Sequence, residues 1–101
     1  MTVGFSAISS IKAGRVEEAI AAGAEFKKLL TAAGAENVRT MLLMSSTPIR
    51  TVLSYEAADQ TALGKVSDAL LADPAAVEAM RSMGAHDGWS AGYLTDTWIE
   101  V

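Results

Sequence analysis

The sequence predicts an α+β protein in which four antiparallel strands carry helices on one face only. Three observations lead there. Apolar residues recur with period two in four stretches, and with a period of three to four in the intervals between them. Turn and cap residues divide these stretches in the order strand, helix, strand, strand, helix pair, strand. The 101 residues suit one compact domain, 1–101, with no room for a second.

The first strand is expected over Val3 to Ser10, with Val3, Phe5 and Ala7 on one face and Gly4, Ser6 and Ile8 on the other. Such weak contrast suits a strand covered on both sides. From Arg15 to Ala33, the residues Val16, Ala19, Ile20, Gly23, Phe26, Leu30 and Ala33 form the apolar stripe of a helix. Glu17 and Glu18 near its start and Lys27 and Lys28 near its end suit the helix dipole, and Gly34 is placed to cap it in the left-handed conformation. Asn37 to Met44 reads as a second strand that Pro48 stops, since proline cannot donate to a ladder. Ile49 to Glu56 returns as the other arm of a hairpin. Asp59 is the expected N-cap of a helix burying Leu63, Val66 and Leu70. Asp73-Pro74 starts a short helix expected to bury Val77, Met80 and Met83, with Gly84 as its stop. Trp89 to Val101 forms the last strand: Trp89, Ala91, Tyr93, Thr95, Thr97 and Ile99 share one face, and Gly92, Leu94, Asp96 and Trp98 the other. Two right-handed crossovers in this order give the ferredoxin-like βαββαβ arrangement, in which the first strand lies between the third and fourth.

Composition narrows the function classes. Half the residues are apolar and a fifth charged, as in a globular chain. Eight basic against twelve acidic residues, a net charge of -4, argue against nucleic acid as a partner. The absence of cysteine excludes disulfides, thiolate chemistry and iron–sulfur clusters. No apolar run approaches the roughly 20 residues of a bilayer crossing, so no membrane partner is expected. The start, Met1 to Ser6, lacks the pattern of a signal peptide, so a cytoplasmic protein is expected. Strands apolar on both faces exceed what one chain of this size can cover, which makes a homodimer the expected form.

The element order, the long final strand and the Asp73-Pro74 helix start resemble the dimeric α+β barrel superfamily. This group includes antibiotic-biosynthesis monooxygenases, NIPSNAP proteins, polyketide cyclases, muconolactone-type isomerases, haem-degrading enzymes and stress-responsive barrel proteins. The resemblance implies two sheets paired face to face in a dimer, with a ligand cavity between the sheet and helices of each subunit. Its motifs carry over only in part. Where stress-responsive members have His-Pro-x-His, this chain reads Asp73-Pro74-Ala75-Ala76, so the cap remains without the second histidine. Haem-degrading members use a first-strand asparagine, a tryptophan and a helical histidine. This chain has Ser6 or Phe5 there, no tryptophan before Trp89, and its histidine in a loop.

His86 is the single histidine and the one side chain whose ordinary pKa lies near neutrality. In a loop opening on a cavity it can move a proton for an enolisable substrate; in solvent it does nothing particular. Tyr55 offers a phenolic donor, and Arg50, inside an otherwise buried strand, offers an anion clamp or simply reaches water beside the turn. Trp89 and Tyr93 share a face and suit a planar ligand, although core or interface packing accounts for them equally. Phe5 and Met80 complete the candidate wall. The chain shows no Gly-x-Gly-x-x-Gly, P-loop or metal-ligand cluster, so no cofactor is expected. Two functions fit these residues. One is a cofactor-free monooxygenase, cyclase or isomerase, with His86, Tyr55 and Arg50 as its catalytic groups, acting on a hydrophobic aromatic or polyketide-like compound. The other is a non-catalytic homodimeric ligand-binding or assembly protein.

Overall fold

The computed structural model describes residues 2–45, 47–84 and 88–101. The elements are β1 (Val3–Ile11), α1 (Val16–Ala32), β2 (Glu36–Leu43), β3 (Arg50–Ala57), α2 (Gln60–Ala72), α3 (Pro74–Ser82) and β4 (Ser90–Ile99). Every expected element is present, with ends displaced by at most two residues. The four strands form one antiparallel sheet in the order β2-β3-β1-β4, the ferredoxin-like arrangement expected from the sequence. Among the described residues, no helix is long and apolar enough to cross a membrane.

Local chemistry accounts for the ends. Gly34 takes a φ of 96°, and the turn closes through Gly34 N–H to Thr31 O at 3.1 Å and Ala35 N–H to Leu30 O at 3.0 Å. Asp59 caps α2 by accepting from Ala62 N–H at 2.8 Å, and Asp73 caps α3 by accepting from Ala75 N–H at 3.0 Å. Pro74 occupies the first turn of α3, where its missing N–H costs nothing. One electrostatic expectation is corrected: the last turn of α1 holds no basic residue, so only the acidic start complements its dipole.

Register fixes the faces. Phe5 pairs with Tyr55 and Thr97, and Ala7 with Leu53 and Thr95, so these side chains share one side of the sheet. Phe5, Leu53 and Tyr55 pack with Phe26, Leu30, Ala35 and Val66, so this is the side the helices cover. A second cluster of Ile11, Ala19 and Trp89 closes the far end beneath α1. The short helix α3 departs from expectation. Ala76 is fully buried, whereas Val77 and Met80 are 44% and 37% exposed. Small side chains let α3 lie close to its neighbours, and the larger ones are left at its flank.

The opposite face carries Gly4, Ser6 and Ile8, with Val52, Ser54 and Glu56 on β3 and Leu94, Asp96 and Trp98 on β4. No helix covers it. It is mixed rather than uniformly apolar, with Ile8, Met41 and Leu94 exposed among serines and charged groups.

Candidate functional site

The helix-side residues of the sheet do not fill the space beneath the helices. Phe5, Ala7, Leu53, Tyr55, Tyr93 and Thr95 floor a cavity of about 380 Å³. Phe26 and Leu30 of α1, Ser67, Leu70 and Leu71 of α2, and Met80 with Met83 at the end of α3 wall it. This volume lies within the range of small-molecule sites, and the lining is mostly apolar.

Tyr55 supplies its main polar group. The ring is 4% exposed and packs on Phe5 with centroids 5.3 Å apart and planes inclined at 30°. Burial pushes its hydroxyl above the ordinary tyrosine range, an effect partly offset by the Ser67 side chain as hydrogen-bond partner. At neutral pH Tyr55 is a neutral donor to a carbonyl or enolate oxygen and not a base.

A second cavity of about 200 Å³ lies under α1, bordered by Ser9, Ala19, Ile20, Gly23, Thr40, Thr51 and Trp89. Phe26, Leu53 and Met83 line both cavities and so form the partition between them. At Gly23, α1 faces Thr40 of β2, and a Cβ there would make an ordinary contact 3.5 Å from Thr40 Cβ. Trp89 is held by backbone bonds, its N–H to Ser82 O at 3.3 Å and its C=O from Lys12 N–H at 2.9 Å. It is 3% exposed, and its indole N–H has no hydrogen-bond partner among the described residues.

The expected site residues separate into three groups. Phe5, Tyr55, Met80 and Tyr93 converge on the larger cavity. Trp89 belongs to the smaller one, so Trp89 and Tyr93 do not form one stacking surface. A register shift at Ser10/Ile11 separates Trp89 from the regular alternation of β4. Arg50 pairs with Ser10 and Leu43, and its odd spacing from Tyr55 places it on the face away from the helices. It therefore does not join Tyr55 in one site. His86 lies outside the described residues; the flanking Gly84 and Gly88 are joined by Gly88 N–H to Gly84 O at 2.8 Å. Sequence reasoning missed Ser67 on the α2 wall and Thr95 on the floor as lining residues. Ser67 had a signal, lying four residues after Leu63 and three before Leu70. Among the described residues, no three of His, Cys, Asp or Glu gather as a cation site requires.

Fold and cavity together define an α+β protein with a mostly apolar, solvent-open cavity between an antiparallel sheet and its helices. No protein-family model and no curated protein matches the sequence. Solved structures match its fold. A NIPSNAP family protein of Agrobacterium tumefaciens superposes with a TM-score of 0.80 at 9% identity, over 100% of this chain and 94% of that one. An uncharacterized NIPSNAP domain protein of Burkholderia xenovorans gives 0.76 at 18% identity, covering 100% and 95%. A proposed antibiotic biosynthesis monooxygenase of Nitrosomonas europaea gives 0.75 at 11%, covering 100% and 99%. The chain thus shares the fold of the NIPSNAP and monooxygenase-type proteins that its sequence resembles, and at these identities the likeness is one of fold.

Proposed function

We propose that this protein binds a flat, hydrophobic aromatic or polyketide-like compound in the larger cavity and converts it through an enolate without a cofactor. The Tyr55 hydroxyl carries the reading: a buried phenol, neutral at pH 7, on the floor of a mostly apolar cavity. Such a group stabilises an enolate oxygen where little water competes. Phe5 and Tyr93 would lie beneath the rings on the sheet side, and Met80 would adapt to their outline. His86 is the proton carrier in this proposal, on its chemistry alone.

Anthrone, a planar ketone with an enolisable CH2, tests the reading. Loss of a C–H proton gives the enolate, and reaction with dioxygen yields anthraquinone and water. Calorimetry should show binding at micromolar concentration, weaker in Tyr55→Phe, and oxygen uptake should depend on His86. Absence of binding by both anthrone and 2-naphthol would defeat the proposal. The alternative is a binder without turnover. It draws on one observation: the described lining of the larger cavity holds no ionisable side chain besides its two tyrosines. His86→Ala with unchanged oxygen uptake across pH 5–8 would remove the proposed proton carrier; no turnover by the wild type, with binding intact, would favour this second reading.

The proposal includes a homodimer formed through the outer sheet face. Exposed Ile8 at 38%, Met41 at 41% and Leu94 at 79% on an uncovered face support it.

A further inference from the structure

We propose that the smaller cavity is the second half of the ligand site and receives an oxygen-bearing end of an elongated guest, with the Trp89 indole N–H as the donor to that oxygen. This rests on the reading of the larger cavity as a ligand site and adds the shape and substitution pattern of what enters it. The first support is continuity. Phe26, Leu53 and Met83 line both chambers, so a guest lying on Tyr55 needs to displace only side chains at the partition to reach beneath α1. Met83, an unbranched side chain just past the end of α3, is the most easily moved of the three.

The second support is an unmet hydrogen bond. Trp89 is 3% exposed and its indole N–H has no acceptor among the described residues, whereas the other indole, Trp98, donates to Ser6 Oγ at 3.1 Å. Buried donors in folded proteins are almost always satisfied, by protein, water or ligand. Around Trp89 the chamber also presents Ser9, Thr40 and Thr51 among aliphatic walls. A purely apolar guest would leave the indole donor unmet, and a charged one would find no described counter-charge in the lining. The class that fits is a neutral, flat, elongated molecule with an oxygen at each end: one accepting from Tyr55, the other from Trp89.

Three probes separate this inference from the reading beneath it. 2-Naphthol is short enough for the larger cavity alone. 4-Hydroxystilbene spans both with one hydroxyl, and 4,4'-dihydroxystilbene spans both with two. Calorimetry on the wild type should give up to about tenfold tighter binding for the dihydroxy compound than for the monohydroxy one. Trp89→Phe should erase that ratio while 2-naphthol still binds. Since Trp89→Phe also alters the core, Ile20→Trp gives a second arm. Ile20 is 51% exposed at the rim of the smaller cavity, and a bulky ring there should weaken both stilbenes relative to 2-naphthol. A stilbene ratio near one in the wild type, or a ratio that survives Trp89→Phe together with stilbene affinities unmoved relative to 2-naphthol in Ile20→Trp, overturns the inference while leaving the larger cavity's role intact. Failure of 2-naphthol and anthrone alike to bind the wild type overturns both.

Discussion

Phe5 and Tyr55 face each other directly across the β1–β3 ladder, and their rings meet at 5.3 Å on the helix side of the sheet. The pair fixes the one phenol that both floors the larger cavity and is almost wholly buried. Tyr55→Phe keeps that ring contact and removes only the hydroxyl. Affinity for 2-naphthol or anthrone should fall about tenfold or less, the worth of one neutral hydrogen bond, read by calorimetry.

The same hydroxyl gives a pH signature. A tyrosine in the unfolded chain ionises near pH 10, and burial raises the folded value above that. Above about pH 10 the unfolded chain therefore binds fewer protons than the folded one, and stability declines as pH rises toward the folded value. Below pH 10 the contribution is constant. Urea midpoints of wild type and Tyr55→Phe should run parallel from pH 7 to 9.5 and the wild type should lose ground above about pH 10. Parallel curves throughout would contradict the raised value.

On the other face, the Trp98 indole lies against Gly4 and donates to Ser6 Oγ at 3.1 Å. A Cβ on Gly4 would fall inside the indole ring. Gly4→Ala should therefore displace Trp98, break its bond to Ser6 and cost about 1–3 kcal/mol in chemical denaturation. Gly92→Ala, with open space around its Cβ position, is the control and should cost less.

Leu94 stands 79% exposed on the uncovered face. Leu94→Glu adds a charge to a surface that an isolated chain leaves in water, so the fold should be little affected. If the proposed dimer forms there, sedimentation should show the wild type as a dimer and the variant as a monomer. A monomeric wild type at micromolar concentration would refute the pairing.

Asp59 caps α2, which carries Ser67 and Leu70 to the cavity wall. Asp59→Ala should cost about 1 kcal/mol, seen as a lower urea midpoint.

Element order, hairpin, caps and sheet topology were all legible in the chain, because period-two and period-four patterns, glycine stops and aspartate caps act over a few neighbouring residues. Residues 93, 95, 97 and 99 sharing a face followed from the same period. Arg50 and Tyr55 were also separable in principle, since five residues along an extended strand reverse the face. Which face the helices cover could not be read locally: Gly4, Ser6 and Ile8 differ too little from Val3, Phe5 and Ala7 in polarity. Only packing between distant elements decided that Tyr55 lies beneath α2 and that Ala76, rather than Val77 or Met80, is the buried position of α3. The two cavities were equally invisible, because empty space is set by how closely helices can approach a sheet, a property of all three layers of side chains and of no single stretch.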